Sequence, residues 1–287
     1  MSSIKKENIF SSWLSVIIEA SEHPFIKSSP DMINSFFELD NLIPNKYEWR
    51  YNDIESFKKL MTTAGSDINK LQRVFWIDIA SLMEAYSIMT CMRMNEVLRS
   101  TIRSLNNTEI VSASILSRSC IELASAILEN ANVFDSTIAN LPQDKQAVVI
   151  TDSEFEALLN KTIWGTRYGD KIPEDLKQKN ILTIIQRLSK HPNAKDLPHK
   201  YEFLCELAHP NVIGNTRFWS DESRANEDGS VTIVIRKDGY SNSQKETIET
   251  VLWALGWSAA CVRSGFQLIR EVISAIDKRF DLNLILK

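Results

Sequence analysis

The stretch of this chain best equipped for chemistry is Tyr201-Glu202-Phe203-Leu204-Cys205-Glu206-Leu207-Ala208-His209-Pro210-Asn211, an acidic helix face running into a histidine-proline stop. Proline disfavours helical backbone at the residue before it, so the helix should end at His209. An imidazole there faces the negative pole of the helix dipole. Glu202 and Glu206 fall beside it on a helical wheel, and both influences favour the charged ring. Tyr201, Leu204, Cys205 and Ala208 form the expected buried stripe. A positioned, partly cationic imidazole can move protons in phosphate chemistry. It can equally donate to a carboxylate or carbonyl and hold helices together. Cys205 and His209 are four apart and could share a metal. His191 and His199 match no zinc spacing, however, and no metal is expected.

A second candidate is Ser117-Arg118-Ser119-Cys120-Ile121-Glu122. A core stripe of Leu116, Cys120, Leu123 and Ile127 leaves Arg118 on the opposite side, among Ser114, Glu122 and Ser125. Arg118 and Glu122 are four apart, so they can pair along the helix and fix the guanidinium. A fixed arginine among small residues suits a phosphate or carboxylate, or a polar contact between helices. The loop Trp164 to Gly169, with Arg167 between aromatics, could stack a base or anchor on a core. The chain lacks the G-x-x-x-x-G-K-[ST], G-x-G-x-x-G and G-x-S-x-G patterns, and no cofactor is expected.

The elements that must position these residues are long. Ile9 to Ala20 reads as a short amphipathic helix, followed by a proline-punctuated connector to about Trp49. Ser66-Asp67 caps a helix with core positions Ile68, Leu71, Phe75, Ile79, Leu82, Tyr86 and Met89, running to the Asn106-Asn107 break. Thr108 opens a second long helix to about Leu141, giving an antiparallel hairpin. Met83, Met89, Met92 and Met94 read as core filler. Thr151-Asp152-Ser153-Glu154 is a capping box, and Asn180 to Lys190 is a short helix. Phe218-Trp219-Ser220 and Val231 to Arg236 read as the arms of one β-hairpin. Ile248, Leu252, Leu255, Ala259, Val262, Phe266, Ile269, Ile273, Ile276 and Phe280 alternate steps of four and three. That seam must be covered by the Ile68 to Leu105 helix or by a second copy. The fold class is therefore all-α, a long-helix bundle with one small β-hairpin. Residues 1–50 form an N-terminal helix and connector, and 51–287 the bundle, with the hairpin near 217–237, all in one compact domain.

Composition narrows the function. The 287 residues are 44% hydrophobic, enough for a packed core, and eight glycines and eight prolines agree with few turns. A net charge of −4 supplies no global field for nucleic acid. Cys91, Cys120, Cys205 and Cys261 form no C-x-x-C pair, and the first residues carry no apolar signal core, so a cytoplasmic protein with reduced thiols is expected. No uninterrupted apolar run reaches spanning length, so no membrane segment is expected.

The Arg-Ser-x-x-Glu helix (Arg118, Ser119, Glu122) followed by Tyr-x-x-Leu-Cys-Glu-x-x-His-Pro-Asn (Tyr201, Leu204, Cys205, Glu206, His209, Pro210, Asn211) resembles a group of uncharacterised bacterial proteins. Asn180-Ile181-Leu182-Thr183 and Gly214 extend the likeness, which spans roughly residues 110 to 220. That group is similar in layout to the HEPN superfamily, whose members are helical, often dimeric, and include metal-independent ribonucleases of toxin and anti-phage systems. The short arginine-polar-histidine motif of those ribonucleases has no match: Arg187 and His191 stand three residues apart, and His209 has no arginine just upstream. The resemblance implies an HEPN-like cytoplasmic ribonuclease in which His209 is acid and base and Arg118 steadies the phosphorane. Glu122 and Glu206 would orient them, and Asn211 would add a hydrogen bond. RNA, a second copy and an antitoxin or sensor protein are the implied partners. Such a site requires the Arg118 and His209 side chains within about 8 Å of each other. The alternative is a non-catalytic helical adaptor, or a module binding a ligand or partner, in which the same residues join helices.

Overall fold

The computed structural model describes residues 9–142, 153–166, 168–169, 171–236 and 242–284. Its frame is three long helices. α4 (Ile68–Asn106) is N-capped by Asp67, whose Oδ1 accepts from the amides of Asn69 and Lys70. α5 (Ile110–Ala139) returns along it after a tight turn in which Thr108 takes a φ of +62°. α10 (Asn242–Phe280) spans 39 residues, about 58 Å at 1.5 Å per residue. The nine seam positions from Ile248 to Ile276 are buried, and Phe280 stacks on Trp76 at 4.9 Å. Val251, Trp253, Ala254 and Trp257 are buried too, so α10 is enclosed on every side from Thr250 to Ala259. Its neighbours are chiefly α5, then α2 and α4. The seam is thus covered within one chain, and no second copy is needed to bury it.

Two stripes are rotated from their expected positions. On α5, Ser114, Ser117 and Ser125 are fully buried with Cys120 and Ile127, whereas Leu116 and Leu123 are only half-buried. Small side chains let α5 and α10 approach closely. At Gly265 of α10 an added Cβ would lie 3.1 Å from Ile127 Cγ1. Ser114 and Ser117 tolerate burial because they donate to the backbone carbonyls of Ile110 and Ser114 in their own helix. On α4, Met83 and Met94 are core as expected, but Met89 and Met92 are exposed.

The stretch expected to be an irregular connector is largely helical. α1 (Ser12–Ala20) is followed by α2 (Pro24–Asp40), with Pro24 in its first turn and His23 Nδ1 accepting from the Phe25 amide. Pro30 sits inside α2 and cannot donate to the Ile26 carbonyl. The Ser29 hydroxyl donates to that carbonyl instead, at 2.8 Å. Proline punctuation does not end the helix here because this neighbouring serine repairs the break. α3 (Ile54–Ala64), capped by Asp53, was also not anticipated.

α6 (Ser153–Ile163) is present, while Thr151 and Asp152 of its capping box lie outside the described residues. α7 (Ile181–Leu188) starts at Asn180, whose side chain accepts from the Leu182 amide. α8 (Leu197–Ala208) opens four residues earlier than the Tyr201 motif. Phe218 and Trp219 belong to a short helix, α9 (Val212–Trp219), and not to the hairpin. The hairpin itself is β1 (Ser220–Ala225) paired antiparallel with β2 (Val231–Ile235), with an irregularity between Ser220 and Glu222. β1 lies against α9 and α10. The architecture is all-α with one two-stranded hairpin.

α4 and α5 each contain an 18-residue window long and apolar enough to cross a membrane, with mean hydropathy 1.3 and 1.4. The expectation of no such segment, drawn from unbroken apolar runs, overlooked windows that carry isolated polar residues. Here 56% and 50% of those windows are buried inside the bundle, which is how core helices of this length behave.

Candidate functional site

Helices α5 and α8 bring Arg118, Glu122, Tyr201 and Cys205 together. Arg118 Nε donates to Glu122 Oε1 at 3.2 Å, the anticipated pairing one turn apart. The same oxygen accepts from the Tyr201 hydroxyl at 2.7 Å, and the Arg118 guanidinium lies 5.7 Å from the centre of the Tyr201 ring. Burial and then the Glu122 carboxylate push the Tyr201 phenol well above its ordinary range, so it stays a donor. Desolvation opposes charge on Arg118, but Tyr201, Cys205 and Glu122 outweigh it and raise its pKa. Burial raises the Cys205 thiol, with Arg118 opposing, which disfavours a nucleophilic thiolate there. Arg118 and Glu122 are about one-third exposed, and this ion pair alone contributes little stability. Its consequence is positional: Glu122 is held from two helices. Tyr201→Phe should cost about 1 kcal/mol, as loss of one hydrogen bond to a carboxylate, measurable by urea unfolding at neutral pH.

Beyond Glu122 lies a cleft of about 600 Å³ between α4, α5, α6 and the start of α7. Ser119 and Glu122 form part of one wall, Arg93 and Met89 belong to α4, and Lys161 and Lys179 face in from the α6–α7 side. The Tyr86 hydroxyl accepts from Asn130 Nδ2 at 2.9 Å, and burial first among its influences raises that phenol to about 12. Burial depresses the Lys179 ammonium. The Glu129 carboxylate opposes that shift, while Arg187 and Lys161 add to it. Glu129 itself pairs with Arg187 at 2.8 Å. None of these lysines stood out in the sequence, because Lys161 ends one helix and Lys179 precedes another. Only the packing of α6 and α7 on α4 and α5 brings them to one opening.

The His-Pro-Asn segment forms a corner between two helices. His209 ends α8 as expected, with its amide donating to the Glu206 carbonyl. Its own carbonyl accepts from the Asn211 amide at 2.8 Å. Asn211 caps α9: its Oδ1 accepts from the Gly214 amide at 2.6 Å, and its Nδ2 donates to Glu206 Oε1 at 2.6 Å. Glu206 and Asn211 are therefore joined to each other, and His209 is exposed with no side-chain hydrogen bond or ion pair recorded among the described residues. The anticipated buried stripe of α8 is carried by Leu197, Tyr201, Leu204 and Leu207, with Cys205 and Ala208 at its edge.

Among the five residues expected to form one site, Arg118 and Glu122 are joined to each other, and so are Glu206 and Asn211. Arg118 and Glu122 meet Tyr201 on the α5–α8 contact, while Glu206 and Asn211 build the corner where His209 sits. His209 follows Cys205 by four residues, about 6 Å further along the helix axis. Of the Trp164 to Gly169 loop, Arg167 lies outside the described residues, Trp164 stacks on Trp49 at 5.6 Å, and Tyr168 is 94% exposed. Among the described residues no three histidine, cysteine, aspartate or glutamate side chains converge as metal ligands would. No family model, no curated protein and no solved structure matches this chain.

Proposed function

We propose that the chain is an HEPN-like, cytoplasmic, non-catalytic helical module that binds a small charged ligand in the cleft bordered by Glu122. The observation that carries this reading is that Arg118 and Tyr201 fix Glu122 from two helices on the wall of a cleft of about 600 Å³. That volume falls within the range of small-molecule sites. Preorganising a wall carboxylate lowers the ordering cost of binding. The test is a melting screen of wild type and Glu122→Gln against cationic, neutral and anionic small molecules. A ligand at 100 times its Kd should stabilise the wild type by about 2.7 kcal/mol, raising Tm by roughly 4–5 °C for a chain of this size. The shift should shrink in Glu122→Gln.

The exposure of His209 favours a second reading, a metal-independent ribonuclease acting in a toxin or phage-defence system. RNA, a homodimeric assembly and an antitoxin or sensor partner belong to that reading. Incubation of wild type and His209→Ala with RNA in EDTA separates the two. Under the binding reading neither protein cleaves, and the variant melts within about 1 °C of wild type, since an exposed side chain with no recorded partner is lost. Ends bearing 2′,3′-cyclic phosphate from wild type alone would make His209 the acid-base residue.

A further inference from the structure

We propose that the pocket bounded by residues 51–58, α4 and the end of α6 binds a small organic cation methylated at nitrogen, its charge held between the Asp78 carboxylate and the aromatic rings of Tyr51 and Trp164. The pocket shares no lining residue with the Glu122 cleft, so this second site stands independently of the reading above.

Its volume is about 320 Å³, at the lower end of small-molecule sites. Three rings meet beside it. Trp49 stacks on Trp164 at 5.6 Å, and Tyr51 lies 4.9 Å from Trp49 and 5.6 Å from Trp164. Tyr51 and Trp164, both lining residues, stand at 62° to each other, so two aromatic walls form a corner. Rings that served only to fill a core would be covered, whereas Trp164 is 43% exposed and Tyr51 54%. The negative face of such a ring attracts a cation within about 6 Å of its centre.

Asp78, on α4, supplies the opposite charge. It is half-buried, and Asn52 Nδ2 donates to its Oδ1 at 2.9 Å. It makes no ion pair among the described residues. Burial pushes its carboxyl up, with the Asn52 hydrogen bonds opposing, as expected of a carboxylate that a cation would stabilise. Lys58, the one cation among the described lining residues, pairs with Glu55 at 3.5 Å, and both side chains lie largely in solvent.

The remaining walls choose the kind of cation. Ile54, Phe57, Phe75 and Leu82 are apolar, and Ile54 is 73% exposed. An unmethylated ammonium carries three donors and a tight shell of water, which one carboxylate and such walls cannot replace. N-methyl groups spread the charge over an apolar surface that packs on rings and aliphatic side chains without calling for acceptors. A neutral body would leave Asp78 without a counter-charge.

Calorimetric titration of the full chain with choline, ethanolamine and 3,3-dimethyl-1-butanol tests this. Choline carries the methylated cation, ethanolamine the bare ammonium, and the alcohol is choline's neutral isostere. Choline should bind saturably, and the other two at least tenfold more weakly. Asp78→Asn should weaken choline tenfold or more, and Tyr51→Leu about fivefold, as loss of one cation–π contact. Tyr51→Phe should retain the wild-type affinity, and Glu38→Gln, on the exposed face of α2, should change nothing. Melting curves of each variant establish that it is folded before titration. A peptide carrying trimethyllysine offers the same chemistry from another source. Peptide binding tenfold tighter than choline would place the cation on a protein chain, and equal or weaker binding on a free small molecule. Failure of both choline and the peptide to bind overturns the inference. So does equal affinity for ethanolamine or the neutral alcohol, or unchanged choline affinity in folded Asp78→Asn or Tyr51→Leu.

Discussion

Gly256→Val should cost about 3 kcal/mol by overpacking and lower Tm by roughly 5 °C. An added Cβ at Gly256 would sit 2.8 Å from Ser29 Cβ and 3.0 Å from Ser29 Cα, a separation that packed carbon atoms do not adopt. One or the other helix must therefore move. Ser29 cannot yield by a rotamer change alone, since its own Cα is in the way. Its hydroxyl is also committed to the Ile26 carbonyl that Pro30 leaves without an amide partner. Displacing α2 would uncover Ile26, Ile33 and Phe36, all buried in the common core. Gly256→Ala should do the same to a smaller degree, because one methyl can be met by a slight shift of α2, whereas the two γ-methyls of valine add further contacts. Urea unfolding with both variants reads the gradation. A valine variant that melts within 1 °C of wild type would mean that α2 is only loosely seated on α10.

That contact also marks what was legible in the sequence. Every seam position from Ile248 to Ile276 is buried, because a repeat sustained over about eight turns leaves a helix only one face to bury. The cap at Asp67 was legible because a short polar side chain before an apolar run has few other uses. α2 was not legible, since the effect of Pro30 depends on a serine hydroxyl that no periodicity reports. The α5 stripe was rotated for a related reason: a hydropathy pattern places leucines inside and serines outside. Close packing against Gly265 instead selects the smallest side chains and lets them bond to their own backbone. At the candidate site, the Arg118–Glu122 pair was local and visible, four residues apart on one helix. Tyr201 as its third member was visible only as a core residue. The cleft depends on four elements meeting and leaves no pattern in any one of them. The cap that Asn211 places on α9 leaves no mark in its own motif, because it depends on a helix beginning at Val212.

The corner carrying His209 gives the second large effect: Gly214→Val should cost about 3 kcal/mol, while His209→Ala at the same corner costs almost nothing. A Cβ on Gly214 would lie 2.9 Å from the Glu206 carbonyl oxygen, 3.0 Å from the His209 carbonyl oxygen and 3.2 Å from Asn211 Oδ1. The first two of those three neighbours are backbone, so no side chain can swing clear of them. The absence of a side chain at 214 is what lets the first turn of α9 dock on the last turn of α8. The third neighbour is the cap itself, so the substitution also pushes Asn211 away from the Gly214 amide and from Glu206. Asn211→Ala alone should cost about 1 kcal/mol, as loss of an N-cap. Combined with Gly214→Val it should cost less than the sum, because both act on the same contact. Urea unfolding of the three variants and the double mutant measures that coupling. Strict additivity would mean that the cap and the close approach are independent. A marked loss of stability in His209→Ala would mean that the imidazole has a structural partner. The expected ordering makes His-Pro-Asn-x-x-Gly a folding motif in its proline, asparagine and glycine, and leaves the histidine as its only member whose side chain the fold does not use.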